Sequence, residues 1–315
     1  MHLVVNPSAG RGRGLARLDD VVRALESASN PGVRVLRSER PGHARELVAE
    51  VPDGGTVVAV GGDGTVHELL PACLERRLTL GIVPAGSGDD FAFALGIPRD
   101  DPLAAAAIVG AGNVRRVDAG LVNGEPFVNA FGSGFDADVA RRVIGAPRRY
   151  KGLARYLYGI LTAMRDFRLA TVRVEVEPAP PTQGAAPAAA DGAPPRVVAY
   201  EGPSLLVTVQ NGPRGGGSFL FAPHARLDDG AFDVLIAGAF GRLGTLGILP
   251  RLMRGRHLGH PRVHALAARS LRVQWSTDMA AQAEGELLAR SSSFEVRLLP
   301  RALRVLAPAP GATSG

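Results

Sequence analysis

Through residues 1–125, short apolar runs alternate with segments whose apolar positions recur every three to four residues. Residues 3–5, 33–36, 56–60 and 79–83 read as strands, the last two as continuous apolar runs suited to a buried parallel sheet. Between them, 15–27 carries Leu15, Leu18, Val22 and Leu25 at helical spacing. Residues 44–51 read as a helix opened by Pro41-Gly42, and 66–75 as another. A short helix over 91–95 is stopped by Pro98. Strand and helix in alternation predict a parallel sheet covered by helices.

The period then changes from helical to two. Residues 127–131, 171–176, 204–209, 232–236, 270–275 and 294–298 read as strands, interrupted by helix-like stretches over 151–167 and 243–253. The pattern predicts a mostly antiparallel β domain. Residues 178–195 are rich in Pro and Ala and poor in large apolar residues, which predicts a mobile loop without a fold of its own. The expected division is an α/β domain over 1–125, joined by a returning segment at about 296–309, and a β-sandwich domain over 126–295.

Three glycine-rich turns follow strands of the first domain. They are Asn6-Pro7-Ser8-Ala9-Gly10-Arg11-Gly12-Arg13-Gly14, Gly61-Gly62-Asp63-Gly64-Thr65, and Pro84-Ala85-Gly86-Ser87-Gly88-Asp89-Asp90. Ligands of doubly wound sheets bind beyond the carboxyl ends of the strands. Glycines let a backbone approach phosphate and aim N–H groups at it, and a following helix adds its partial positive charge. One such turn is commonly only a tight connection, and the Gly10-x-Gly12-x-Gly14 spacing is no dinucleotide fingerprint; three turns together point to a nucleotide. Asp63, Asp89, Asp90 and Asp118 would repel phosphates unless a cation intervenes, which suits Mg²⁺. Asp63 and Asp90 also suit helix capping, and the two roles are compatible.

Composition narrows this picture. Lys151 is the only lysine, so a Walker-type loop is excluded and backbone N–H groups, arginines and metal must hold any phosphates. Cys73 is the only cysteine, which excludes internal disulfides and cysteine zinc sites. The net charge of +6 fits an anionic partner. The aromatic content of 5% without a basic–aromatic pattern gives no sign of nucleic acid. No apolar run has membrane-span length and the opening lacks a signal-peptide pattern, so a cytoplasmic protein is expected. No feature fixes an oligomeric state.

These residues resemble the diacylglycerol kinase catalytic-domain family, in particular its soluble bacterial lipid kinases, within a wider group that includes sphingosine kinases, NAD kinases and phosphofructokinases. Asn6-Pro7-x-x-Gly10, Gly61-Gly62-Asp63-Gly64-Thr65 with His67-Glu68, and the 84–92 segment are similar to its motifs. Asn211-Gly212, Gly215 to Gly217, Pro223, Ala225 and Asp229-Gly230 follow in the family's order, and Glu284-Gly285-Glu286 stands where the family has Asp-Gly-Glu. The resemblance implies an ATP-binding α/β domain and a β-sandwich domain with the active site between them. It implies that Asn6, Pro7, Ser8, Ala9, Gly10, Ser38, Gly62, Asp63, Gly64, Thr65, Val66, His67, Glu68 and Ser87 approach ATP. It further implies a water-linked network of Asp63, Asp90 and Asp118 around catalytic Mg²⁺, and a second Mg²⁺ held by Asp229 and the carbonyls of Arg226 and Ala231. Three residues depart from the family pattern: Ser87 stands for Thr, Asp89 for Asn and Glu284 for Asp.

The expected reaction is γ-phosphoryl transfer from ATP to a lipid hydroxyl, of diacylglycerol or a related glycerolipid. Glu284 is the expected general base, with Glu286 beside it and Asp63 organising the metal. The alternatives are an NAD-kinase-like or sphingoid-base kinase, or a catalytically weak lipid- or nucleotide-binding regulator, which Asp89 and Glu284 keep open. In 151–167, Leu153, Tyr156, Leu157, Ile160, Leu161 and Met164 share one helical face that either walls a lipid pocket or packs on the β domain. Arg254, Arg256, His257 and His260 form a basic cluster that is either a peripheral contact with an anionic inner-membrane face or a solvated surface.

Overall fold

The computed structural model describes residues 1–12, 16–28, 32–147, 149–150, 153–179 and 196–309. Arg13, Gly14, Leu15, Lys151 and residues 180–195 of the expected loop lie outside the described residues. The chain forms two compact units, one from the residues up to Val117 with those from Arg301 onward, the other Asp118–Pro300.

The first unit contains strands β1 His2–Val5, β2 Arg34–Arg37, β3 Thr56–Gly61 and β4 Thr79–Pro84. They lie in the order β4-β3-β1-β2, all parallel. The helices are α1 Leu18–Ser27, α2 His43–Leu47, α3 Asp63–Glu75, α4 Asp90–Leu95 and α5 Pro102–Gly110. In α1, Leu18, Val21 and Leu25 supply the buried stripe and Asp19 and Asp20 the favourable first-turn acids. β3 and β4 are apolar and buried nearly throughout, as a sheet covered by helices requires. Arg304 and Val305 return from the second unit and pair in parallel with Thr79 and Leu80 of β4.

The second unit begins within β5 Val114–Val122 and continues through β6 Glu125–Phe127, β7 Ala130–Gly134, α6 Phe135–Ile144 and α7 Leu153–Asp166. There follow β8 Ala170–Pro178, β9 Val197–Ser204, β10 Leu206–Gln210, β11 Phe232–Ala237, α8 Arg242–Met253, β12 Val263–Ala283 and β13 Glu286–Leu306. The pairings of β7, β8, β10, β11 and β12 are antiparallel. Strand β12 runs for 21 residues and shifts register between Gln274 and Met279 and again between Met279 and Ala281. Such bulges bend a strand. Its first part pairs with β11, its middle with β8 and β13, and its end with β7. One bent strand therefore serves successive layers around a core of Phe127, Phe131, Val207, Phe232, Leu271 and Phe294.

The α/β-then-β architecture is the one the periodicity predicts. Two helices, α5 and α6, are absent from that reading, and the strand expected over 127–131 is split, with Val128 and Asn129 between β6 and β7. On α7, Ile160, Ala163 and Met164 pack into a core cluster with Phe135 and Val139 of α6, so the stripe packs on its own unit. Leu157 and Leu161 of the same stripe remain 39% and 55% exposed.

Candidate functional site

The three turns of the first unit begin at the carboxyl ends of parallel strands, and the ladder continues into them. Asn6 N–H donates to the Val60 carbonyl at 3.0 Å, Ser38 N–H to Val5 at 2.8 Å and Ala85 N–H to Gly61 at 2.9 Å. Asn6 Oδ1 accepts the Ser8 N–H at 3.0 Å, which tightens the first turn, and its Nδ2 donates to Thr65 Oγ1 at 3.3 Å. The chain then passes through a 3₁₀ turn, Ala9–Arg11, with Gly10 in the left-handed region.

The second and third turns interlock because they have no side chains at the crossing. A Cβ on Gly86 would lie 2.6 Å from Gly62 Cα, and a Cβ on Gly62 would lie 2.9 Å from Gly86 Cα. Gly61 is likewise required, since its Cβ would fall 2.3 Å from Thr65 Oγ1. No side chain caps α3 at Gly62, and the Thr65 and Val66 N–H groups donate to the Gly62 carbonyl at 2.9 and 3.2 Å; the partial positive charge of the helix start favours an anion beside it. Val66 and His67 turn their side chains inward and are buried. The Glu68 carboxylate accepts the Gly42 and Ala44 N–H groups at 2.9 and 3.0 Å and so caps α2.

Asp63 opens α3 and caps the next helix, α4, accepting the N–H groups of Asp90 and Phe91 at 3.2 Å each. Burial, and after it the charges of Asp90 and Asp89, pushes the Asp63 carboxyl up to about 7. Asp89 is buried at φ 50°, the left-handed region that Asn and Asp tolerate, and its Oδ1 accepts the Gly86 N–H at 3.0 Å. An Asn would supply the same acceptor, so the Asp departure keeps the turn intact while adding charge.

Arg17 and Arg99 escape the sequence reading. With Val21, Val60, Pro84, Asp100 and Pro102 they line a cavity of about 230 Å³ beside the second and third turns, and Arg17 Nε pairs with Asp20 Oδ2 at 3.1 Å. Arg99 Nε is buried and has no hydrogen-bond partner among the described residues.

In the second unit, Glu284 and Gly285 form the two-residue turn between β12 and β13, both at positive φ, 56° and 84°. This is the I′ pattern that favours Asn-Gly or Asp-Gly, and Glu is an unusual occupant. Glu284 Oε1 accepts the N–H groups of Val128, Asn129 and Ala130 at 2.7, 2.6 and 3.3 Å. One carboxylate oxygen is thus anchored by the backbone, at the break between β6 and β7. Glu286, at the start of β13, is exposed.

Gly285 N–H donates to Gln282 Oε1 at 2.7 Å, and Gln282 Nε2 donates to Asp136 Oδ2 at 2.7 Å. Burial raises the Asp136 carboxyl and the Gln282 amide lowers it in part. Gly132 makes room for this contact, since its Cβ would lie 1.9 Å from Asp136 Oδ2. Neither Asp136 nor Gln282 belongs to the motifs singled out in the sequence. The run Gly132-Ser133-Gly134-Phe135-Asp136, a glycine turn feeding a helix, is the signal that could have found Asp136.

Asp118 is fully buried in the second unit, where its Oδ2 accepts the Gly230 N–H at 2.8 Å. It backs the 226–231 loop, in which Asp229 Oδ1 accepts the Ala231 N–H at 3.2 Å. Burial raises the Asp229 carboxyl, with Asp118 and Asp228 adding to it, and Asp233 is raised to about 6 by burial and by Asp229. Among the described residues no three His, Cys, Asp or Glu side chains form a metal-holding group. Both acidic sets nevertheless suit a divalent cation, which would offset the burial and then the mutual repulsion that raise Asp63 and Asp229. Carbonyls, water and phosphate oxygens would complete the coordination.

Two family models match the chain: the diacylglycerol kinase catalytic domain over residues 1–122, and the YegS C-terminal NAD kinase beta sandwich-like domain over 129–307. The chain is 30% identical over 291 residues to the diacylglycerol kinase of Bacillus subtilis, covering 90% of this chain and 89% of that one. It is 27% identical to the diacylglycerol kinase of Mycobacterium tuberculosis, covering 98% of this chain and 95% of that one. The fold matches a crystal structure of a diacylglycerol kinase from Bacillus anthracis at a TM-score of 0.71 and 24% identity, covering 98% of this chain and 96% of the other.

Proposed function

Because the chain belongs to the diacylglycerol kinase family of lipid kinases and is a phosphotransferase of that class, we propose that it transfers the γ-phosphoryl group of ATP, with Mg²⁺, to a hydroxyl of diacylglycerol or a related glycerolipid. The observation that carries the reading is the interlocked pair of turns at Gly62 and Gly86, with Asp63 between them raised to about 7. Glycine turns that admit no side chain at their crossing, beside buried carboxylates, suit a polyphosphate with a divalent cation.

In this reading the first unit binds the donor. N–H groups at the start of α3 and in the Asn6–Gly10 and Ser87 turns meet phosphate oxygens, and Arg99, whose Nε is buried, adds positive charge beside them. Asp63 and Asp90 would hold Mg²⁺, which neutralises charge on the transferring phosphoryl group when bound. Asp229, with the carbonyls of Arg226 and Ala231, would hold a second ion that fixes the loop backed by Asp118.

The second unit supplies the base. Glu284 takes the proton of the attacking hydroxyl, and the three N–H groups on its Oε1 keep the carboxylate aimed while that proton arrives. Glu286 follows at the exposed start of β13, where it adds negative charge near the base. Because the acceptor is a bilayer lipid, the chain works at a membrane surface; among the described residues no helix is long and apolar enough to cross one.

Incubation with labelled ATP, Mg²⁺ and a panel of diacylglycerol, phosphatidylglycerol, sphingosine and NAD tests the reading. Label is expected on diacylglycerol. Label on NAD or sphingosine alone, or on nothing, overturns it.

A further inference from the structure

The second and third turns of the first unit carry three carboxylates and neither lysine nor arginine: Asp63 opens α3, Asp89 stands just before α4 and Asp90 opens it. Asp89 and Asp90 are buried. Arg17 and Arg99 line the cavity beside these turns together with Asp100, and Arg17 is engaged by Asp20. The carboxylates of the turns thus outnumber the cations that line that cavity.

The three do not stand alike. Asp63 Oδ2 and Asp90 Oδ2 converge on the space that Gly88 leaves free, where a Cβ would lie 3.0 Å from the first oxygen and 3.4 Å from the second. Any side chain at 88 would fill that space, and glycine keeps it open between two carboxylate oxygens from different turns. Asp89 is engaged elsewhere, at the Gly62–Gly86 crossing, where its Oδ1 accepts the Gly86 N–H at 3.0 Å. It acts on the Gly88 space by charge and not by contact: after burial and Asp90, Asp89 is the next influence that pushes Asp63 upward. An Asn at 89 would tolerate the φ of 50° and accept the same N–H, so the turn does not need this third charge to form. A charge held a few ångströms away in a partly buried turn favours a cation and opposes a polyphosphate.

We propose that the Asp89 charge sets the order of binding: the space at Gly88 takes a divalent cation before the nucleotide arrives, and the nucleotide enters only after it. Asp63 and Asp90 would hold that cation with water completing its shell, as two carboxylates commonly do for Mg²⁺. Asp89 is no ligand in this scheme; it raises the affinity for the free ion and penalises a polyphosphate that comes without one. The inference rests on the ATP reading above and deepens it by assigning a binding order to the same turns.

Two titrations test it without lipid or turnover. Free Mn²⁺ is followed by electron paramagnetic resonance in the absence of nucleotide, and ATP binding is followed by calorimetry in EDTA and in excess Mn²⁺. The Mn²⁺ titration is made on the wild-type chain and beside Asp229→Asn, which removes the second ion proposed above. Mn²⁺ is expected to bind without nucleotide in both, and ATP to bind the wild type at least tenfold more weakly in EDTA. A unit charge several ångströms away at an effective dielectric constant of about 20 is worth at least about tenfold in affinity. Asp89→Asn is therefore expected to bind Mn²⁺ at least tenfold more weakly and ATP in EDTA at least tenfold more tightly. These opposite signs are what a general loosening of the turn would not give. Asp278→Asn, an equal charge change at an exposed position of the second unit, is expected to shift neither. No Mn²⁺ binding beside Asp229→Asn, equal ATP affinity with and without Mn²⁺, or two affinities that move together or stay still in Asp89→Asn overturns the proposal. A wild type that binds Mn²⁺ but takes no ATP in either condition faults the ATP reading, and with it the order, while the Mn²⁺ result stands by itself.

Discussion

Glu284 reaches the Asn129 amide at 2.6 Å through Oε1, although the two residues are 155 positions apart. The same oxygen takes the Val128 and Ala130 amides, so the extra methylene relative to Asp is used to span from a hairpin turn to the break between two strands. Glu284→Gln keeps an oxygen for these donors but has no base. Turnover is expected to fall by two orders of magnitude or more, in line with general-base loss of about 10²–10⁴, with ATP affinity and melting temperature little changed. Glu284→Asp suits the left-handed turn better yet falls short of the three amides. It is expected to lose about 1–3 kcal/mol of stability, as buried donors left unpaired do. Denaturant titration beside steady-state kinetics separates the two variants. Full turnover in Glu284→Gln removes Glu284 from the base role.

Asp63 gives a pH dependence with a fixed sign. Its folded-state value of about 7 lies above the ordinary 3.8. Between those values the unfolded chain has released the proton and the folded chain retains it. Stability from this group is therefore present at low pH and is lost as pH rises toward 7. Asp233, raised to about 6, acts in the same direction. Melting temperature in EDTA is expected to fall from pH 5 to pH 7.5, and Mg²⁺ is expected to restore it most at the upper end. Asp63→Asn removes the Asp63 contribution, so its slope is expected to be shallower. A wild-type slope that is flat, or that Asp63→Asn leaves unchanged, contradicts the burial and repulsion assigned to Asp63.

The parallel strands were legible because a doubly covered strand must be apolar throughout, as Val57 to Val60 and Leu80 to Val83 are. The second and third turns were legible because nothing but glycine fits where Gly62 meets Gly86. Helix α5 was missed although Asp101 caps it, accepting the Leu103 and Ala104 amides, and Pro102 occupies its first position. Its alanine-rich body has no amphipathic stripe, so a reading that weighted periodicity passed over the cap. Helix α6 was missed although Phe135, Val139 and Val143 recur at helical spacing, Asp136 and Asp138 mark its first turn and Arg141 and Arg142 its last. The anchoring of Glu284 was not legible at all. Its partners are backbone amides of Val128, Asn129 and Ala130, which no residue type announces.

The Gly62–Gly86 crossing predicts a sharp contrast between glycines. Gly86→Ala would place a methyl 2.6 Å from Gly62 Cα and 2.5 Å from Asp89 Oδ1. Backbone and a hydrogen-bonded carboxylate cannot retreat cheaply, so about 1–3 kcal/mol of stability is expected to be lost, as for other overpacked sites. ATP affinity should fall as well, because the turn that bears Ser87 moves. Gly259→Ala, whose methyl would meet nothing within 4 Å, is expected to do neither. Calorimetric ATP binding and thermal melts of the two variants check this. Equal behaviour of the pair means that the two turns do not interlock.

The Asp136–Gln282 contact carries the last expectation. Asp136 Oδ2 accepts from the Gln282 NH₂ group, and this places Gln282 Oε1 toward the Gly285 N–H, which donates to it. The turn that bears Glu284 is held at its second residue by this amide and at its first by the Glu284 N–H donating to the Ala130 carbonyl at 3.1 Å. Gln282→Leu keeps the volume but leaves the Asp136 carboxyl without its donor and Gly285 without its acceptor. Because misplacement by about 1 Å can cost on the order of 10²-fold in rate, kcat is expected to fall at least tenfold while KM for ATP changes little. Asp136→Asn keeps an acceptor for Gln282 and is expected to retain most of kcat, whereas Asp136→Ala should resemble Gln282→Leu. A KM effect without a kcat effect, or a loss in Asp136→Asn as deep as in Asp136→Ala, would show that the contact does not orient the turn.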